Sequence, residues 1–208
     1  MWKLVKFPVI AVILFVGYLI FELSLSYYDP DFSRGYLIDK AAVFDGPFKY
    51  GLYAHIVSMP LLLLIGTAQV FFRYEGRAGA VHRVLGRVYG GMVLLVAAPS
   101  GLILAGYAFG GDWAKVSFYL LAVLWWLFTA AAWYCARKRD FRRHRDFMVR
   151  SYLLMISAVF LRLISFGMIA GLHWVGPEPY MWSAWLSWVP FLVGYEVVRL
   201  VRRRWYGS

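Results

Sequence analysis

The residues best able to do chemistry in this chain are its four histidines, His55, His82, His144 and His173. His82 and His144 are each followed by an arginine and each opens an apolar run: residues 82–89 read HRVLGRVY and residues 144–152 read HRDFMVRSY. About two turns later each block offers a second arginine and a tyrosine, Arg87 with Tyr89 and Arg150 with Tyr152, in registers that differ by one residue. An imidazole and cations at the dipole-positive start of a helix suit an anion such as a lipid phosphate, a haem propionate or an anionic substrate. The same groups have a plainer use, in which the arginines snorkel to head groups and the histidines cap helix starts. Two histidines towards each membrane face are also the minimum for two bis-histidine b-type haems, pairing His82 with His144 and His55 with His173. His173 sits in the loop sequence HWVGPEP, so a single haem iron held by His82 and His144 is the more defensible version. Arg87 and Arg150 would then pair with its propionates.

Other polar groups fall inside apolar runs, where they are expensive and therefore candidates for function. Gln69 and Glu196 belong to the same layer as His82 and His144, and Glu196 is expected to pair with Arg87 or Arg150. Arg162 lies deep in its run and is expected to face the bundle interior, against a carboxylate, a carbonyl or polar groups near His55. His82, His144 and Glu196 could alternatively ligate zinc or iron, although the neighbouring arginines repel a cation. No GxSxG, HExxH, CxxC or Walker sequence occurs. Ser100 follows Pro99 within an apolar run with no histidine beside it, which argues against a serine nucleophile. The one cysteine, Cys135, excludes an internal disulfide and reads as a small buried apolar residue.

The elements that must position these residues are membrane helices. The chain of 208 residues is 62% hydrophobic and 20% aromatic, a surplus too large to hide in one small core, so lipid must be the solvent for most of it. Six apolar runs, near 7–27, 51–72, 85–109, 116–136, 147–172 and 181–201, approach the ~20 residues a helix needs to span the hydrocarbon core. The first is too long for a signal-peptide core and no A-x-A site follows it, so it reads as a retained span. The segment 28–50, with Asp29, Pro30, Asp31, Asp39, Asp45 and Pro47, is expected to form an ordered external cap. An N-in, C-in orientation puts Lys3, Lys6, Arg73, Arg77, Arg83, Arg87, the basic run Arg137 to Arg150 and Arg199 to Arg204 in the cytoplasmic half. The outside then keeps only Arg34, Lys40, Lys49 and Lys115 among more numerous acids. The net charge of +11 is thus the positive-inside rule rather than a nucleic-acid footprint. The fold class is an all-α, six-span bundle. Gly86/Gly90, Gly106/Gly110 and Gly167/Gly171 are spaced to let helices approach closely.

From the second run to the last, the chain resembles a bacterial family of predicted membrane proteins known as domain of unknown function 2306. The resemblance rests on His55, on Gln69 with its following basic residues, on HRVLGRVYGG at 82–91 and on HRDFMVRSY at 144–152. Arg162 and the segment WLSWVPFLVGYE at 185–196 complete it. Phe191 stands where that family often has Asn, and His173 is not part of the pattern. The resemblance implies a multi-pass protein of a bacterial plasma membrane and no activity; the likeness to transmembrane b-type cytochromes is in outline only. Three functions remain open. One is a redox protein holding haem b or quinone at the cytoplasmic His/Arg layer. Another is an accessory or lipid-binding component, with that layer serving anionic lipids. The last is a transporter using Arg162, with Pro60, Pro99 and Pro190 offering partial support.

Overall fold

The computed structural model describes residues 2–33, 35–72 and 78–206. Arg34, Arg73 and Arg77, which count towards the orientation, lie outside the described residues, as does the side chain of Lys3. Six stretches are long and apolar enough to cross a membrane: Lys6–Tyr28, Ala41–Phe71, Gly79–Ala105, Gly111–Arg137, Phe141–Gly171 and Pro177–Trp205. They contain eight α-helices: α1 (Trp2–Leu25), α2 (Lys49–Phe71), α3 (Ala78–Met92), α4 (Ala98–Ala105), α5 (Gly111–Arg137), α6 (Phe141–Phe166), α7 (Pro177–Leu186) and α8 (Val189–Tyr206). The expected runs are all present, and most extend by a few residues because charged ends continue the helix beyond the apolar part. The second extends further, since the end of the cap itself coils into α2.

Four of these spans are irregular: Gly46 kinks the start of the second, a π turn, Gly167–Gly171, ends the fifth, and the third and sixth are interrupted further in. A π turn, Val93–Ala97, joins α3 to α4, and Pro99 stands in the first turn of α4. Proline lacks the N–H that would close the next bond, and the wider turn leaves carbonyls free for other partners. The indole of Trp126 on α5 takes one, donating to Leu94 O at 3.1 Å. The last span bends where α7 gives way to α8 at Ser187 and Trp188.

The helices on which the histidines depend are tied by a tight corner. At the end of α5, Arg139 adopts the left-handed conformation with φ of 60°. Asp140 N donates to Cys135 O at 3.0 Å and Arg139 N to Ala136 O at 3.1 Å, the pair of bonds that closes a Schellman motif. Asp140 then caps α6 by accepting from Arg143 N at 3.0 Å. The result is an antiparallel α5–α6 hairpin at the centre of the molecule. Around it Leu62, Tyr89, Val93, Ala97, Trp125, Leu154, Met155 and Val159 form the main core. Cys135 is buried, as its setting in the sequence implies.

At the opposite end the segment between α1 and α2 is an ordered aromatic cap, as its composition predicts. Leu37, Phe44, Phe48 and Leu52 form a second core against Tyr27, Phe32, Tyr36 and Tyr107. Phe48 meets Tyr107 with ring centroids 5.0 Å apart. The glycine pairs divide. A Cβ at Gly86 would touch Gln69 Nε2 at 3.2 Å, and one at Gly90 would run into the Trp133 ring. Gly167 and Gly171 meet nothing within 4 Å, so close helix approach does not explain that pair.

Candidate functional site

The end of the bundle carrying the helix starts at His82 and His144, here the basic end, holds two separate constructions. The first is ionic and joins α6 to α8. Arg150 is 6% exposed. Its guanidinium meets Glu196 in a two-point fork, Nε to Oε1 at 2.5 Å and Nη2 to Oε2 at 2.9 Å. Nη1 donates to Asp146 O at 3.0 Å, and the rings of Phe147, Tyr195 and Phe128 lie 5.3, 5.3 and 5.7 Å from the guanidinium carbon. Arg199 bridges the same elements, reaching Asp146 Oδ2 at 3.0 Å and Glu196 Oε2 at 3.5 Å. Two cations and two anions therefore neutralise one another. The expected pairing of Glu196 with an arginine is present, and Arg150 is the partner. Asp146 and Arg199, which the sequence argument missed, were legible as neighbours of Arg150 and Glu196 at helical spacings of four and three.

This network changes the roles expected of three residues. Arg150 has no free donor face for a propionate. Glu196 is committed to arginines, and no group of three metal-ligating residues occurs among the described residues, so the His82/His144/Glu196 metal site is not formed. Arg87 is exposed on α3 and does not join the layer. One residue of register is about 100° around a helix. His-to-Arg spacings of five and six therefore send Arg87 and Arg150 to opposite sides of their histidines.

The second construction at the basic end is neutral and polar. The amide of Gln69 donates to His82 O at 2.9 Å. That bond fixes which amide atom is nitrogen, and it leaves Oε1 buried with no hydrogen-bond partner among the described residues. His144 places Nδ1 2.9 Å from Ala132 O across the α5–α6 hairpin. A carbonyl only accepts, so Nδ1 carries the hydrogen and, in the neutral ring, Nε2 is an acceptor. His82 is half-buried, and its ring lies close enough to His144 for the two charges to interact. Gln69 on α2, His82 on α3 and His144 on α6 thus stand at the same end of the bundle, the first bonded to the backbone of the second.

Deeper in the bundle a polar knot ties four helices. Thr67 and the Tyr152 hydroxyl lie 3.2 Å apart, Tyr89 and Ser151 hydroxyls 3.1 Å, and Thr129 and Ser151 hydroxyls 2.8 Å. The two tyrosines that echo each other in sequence are the shared part of the repeat, since both are buried and bonded.

The remaining candidates lie elsewhere. His55 on α2 places Nδ1 3.2 Å from Ser100 Oγ, and Ser100 donates its own hydrogen to Ala97 O at 3.0 Å. Ser100 does have a histidine beside it, contrary to expectation, because α2 packs on α4. With its proton sent to Ala97, the hydroxyl accepts from His55 and is not poised as a nucleophile. His173 is exposed in the loop before α7, with φ of 52°. It shares no site with His55, so the second haem site is not formed. Arg162 is exposed rather than turned to the bundle interior. Its charge bears on the Tyr36 phenol of the cap. Burial pushes the Tyr36 phenol well up from its ordinary value, the nearby Tyr180 and Tyr27 phenols push it further, and Arg162 pulls it back.

Fold and sites together define a multi-pass, all-helical membrane protein. The model of the family described as "Predicted membrane protein (DUF2306)" matches residues 52–198, and the chain belongs to that family. No curated protein and no solved structure matches it.

Proposed function

We propose that this protein is a membrane component of a redox system that holds a quinol head group at the basic end, through His144 and Gln69. The observation that carries the reading is the commitment of donors: His144 Nδ1–H to Ala132 O and the Gln69 amide to His82 O. Two acceptors remain, His144 Nε2 and Gln69 Oε1, and the second is buried without a partner among the described residues. A buried unsatisfied acceptor costs about 1–3 kcal/mol, a cost that a ligand hydroxyl removes. A quinol carries two hydroxyl donors on an apolar ring, and its oxidised form carries none. In this reading the chain's own residues bind and orient the head group, and His144 Nε2 takes the hydrogen bond of one hydroxyl. Haem b is the less favoured occupant. Its iron would need His82 and His144 opposed, and the arginines expected at its propionates are committed to Glu196 or exposed on α3.

The basic end is assigned to the cytoplasmic face of a bacterial plasma membrane, with both termini inside. The support is the concentration of arginines there. A cytoplasm-only reporter fused at residue 140 should be active and one at residue 112 silent; the reverse pattern overturns the orientation. A second reading, a lipid-binding accessory protein, draws support from an open groove of about 300 Å³ lined by Asp140, Arg142, Arg143, Asp146 and Arg203, where anionic head groups could lodge.

The test is what co-purifies. Solvent extraction of the purified wild type should yield a quinone, and His144→Ala or Gln69→Leu should each reduce the yield about two- to tenfold. A Soret band that shifts with dithionite and disappears in His144→Ala would assign haem instead. Equal yields from all three proteins, with no such band, would leave the basic end without a redox ligand.

A further inference from the structure

The charges of the basic end do not all cancel. Beyond the Arg150–Glu196 pair, the start of α6 and the end of α8 enclose the open groove of about 300 Å³ lined by Asp140, Arg142, Arg143, Asp146 and Arg203. Asp146 gives its carboxylate to Arg199 at 3.0 Å. Asp140 accepts from Arg143 N at 3.0 Å and meets Arg143 Nε at 3.5 Å. Arg142 and Arg203 are exposed and make no ion pair among the described residues. Two guanidinium groups from two helices therefore line one groove without a counter-ion, beside a half-buried carboxylate.

The groove sits at head-group depth. The apolar part of α6 begins near residue 147, and Asp140 stands about 10 Å before it along the axis at 1.5 Å per residue. Arg203 stands about 3 Å beyond the apolar part of α8, which ends near residue 201. Head groups fill about 5–8 Å on each side, the difference between a ~30 Å hydrocarbon core and a ~40–45 Å bilayer. Leu200, one turn before Arg203, is exposed and apolar, and so is Val197 a turn earlier. Residues three apart share a helix face, so an apolar track leads from the groove towards the hydrocarbon. In size the groove is at the small end of ligand clefts, roughly 300–1,000 Å³. It has room for a head group, with the acyl chains left in the bilayer.

We infer that this groove binds a phospholipid whose head group joins a phosphate to a primary ammonium, with Arg142 and Arg203 on the phosphate and Asp140 on the ammonium. A phosphodiester presents several acceptors to guanidinium groups. A carboxylate has about four lone-pair positions, and Arg143 takes only part of those on Asp140. The remainder accepts from an ammonium, in a charge-assisted bond roughly twice as strong as one from a neutral hydroxyl. A quaternary ammonium has no N–H to donate, and a glycerol head group offers only neutral hydroxyls. The carboxylate thus makes the groove more selective than a plain anion site. The inference rests on the lipid-binding reading of this groove and narrows it, and it is independent of the quinol.

The test uses the full chain in a non-ionic detergent, titrated separately with dioctanoyl phosphatidylethanolamine, phosphatidylcholine and phosphatidylglycerol, with bound lipid counted by native mass spectrometry. Wild type should hold one phosphatidylethanolamine at least about fivefold more tightly than either of the others. Arg142→Gln combined with Arg203→Gln should weaken all three lipids alike. Asp140→Asn removes the charge but keeps the helix cap, since Asn caps as well as Asp. It should lower phosphatidylethanolamine to the level of phosphatidylcholine and raise phosphatidylglycerol. A carboxylate that served only the fold would shift all three lipids together, and that result overturns the ammonium contact. Equal binding of phosphatidylethanolamine and phosphatidylcholine by wild type overturns it too. A wild-type preference for phosphatidylglycerol overturns the inference while leaving the groove as an anion site. Unchanged affinity for every lipid in a folded double-arginine variant overturns the groove as a lipid site, and the lipid-binding reading with it.

Discussion

Arg150 and Arg162 stand on the same helix, twelve residues and about 18 Å apart, and they meet opposite fates. Arg150 is buried, bound at two points by Glu196 and covered by three aromatic rings. Arg162 is exposed and makes no ion pair among the described residues. The difference lies in what the partner helix supplies. The α8 sequence carries Glu196 and Arg199 into the basic end, while no carboxylate pairs with Arg162 among the described residues. A cation whose charge is cancelled inside the fold serves the fold; an exposed one is free to reach head groups. The same contrast separates Glu196, held by two arginines, from Gln69 Oε1, which has no partner among the described residues.

The largest expected effect comes from breaking the satisfied member. Glu196→Gln leaves Arg150 buried without its counter-charge, and thermal stability in detergent should fall by about 3 kcal/mol, the lower end for a broken buried pair because Glu196 is itself partly exposed. Replacing both partners, Arg150→Met with Glu196→Leu, should recover most of that loss, since two matched apolar residues carry no desolvation cost. A double variant as unstable as the single one would show that the network contributes more than its own neutralisation.

A middle effect is expected of Asp146→Asn. It strips Arg199 of one partner but leaves Glu196 within reach, and should cost about 1 kcal/mol. Thr67→Val, which removes the partner of the Tyr152 hydroxyl, should cost a similar ~1 kcal/mol in the same melting assay. The smallest effect sharpens the comparison most. Arg162→Gln should change stability by less than about 0.5 kcal/mol in lipid-free detergent, as for exposed substitutions generally. A drop as large as that of Glu196→Gln would mean that Arg162 holds the fold as well.

Much of this architecture is legible in the residues. Apolar length alone gives six spans, because a hydrocarbon core about 30 Å thick imposes it, and the cap declares itself through Asp and Pro between aromatic residues. The Arg150–Glu196 pair is legible too, since two buried-depth charges of opposite sign on spans entering from opposite faces must find each other. The failures are tertiary. Which side of a helix faces inward is blurred in runs that are apolar all round, so Arg162 was expected inside and is exposed, and Arg87 was grouped with Arg150 although the register turns it away. The His55–Ser100 contact joins residues 45 apart in sequence, which no local spacing reveals. The acceptor character of His144 and Gln69 depends on two backbone carbonyls, and carbonyls leave no mark in a sequence.

The central claim is that the basic end offers hydrogen-bond acceptors to a ligand that donates. The direct measurement is the affinity of one soluble quinone analogue in its reduced and oxidised forms, read by tryptophan fluorescence on the protein in nanodiscs at neutral pH. Two hydrogen bonds of about 0.5–1.5 kcal/mol each predict that the reduced form binds roughly tenfold more tightly, with the preference lost in His144→Ala combined with Gln69→Leu. Equal binding of the two forms, or a preference for the oxidised one that survives those substitutions, would contradict the account.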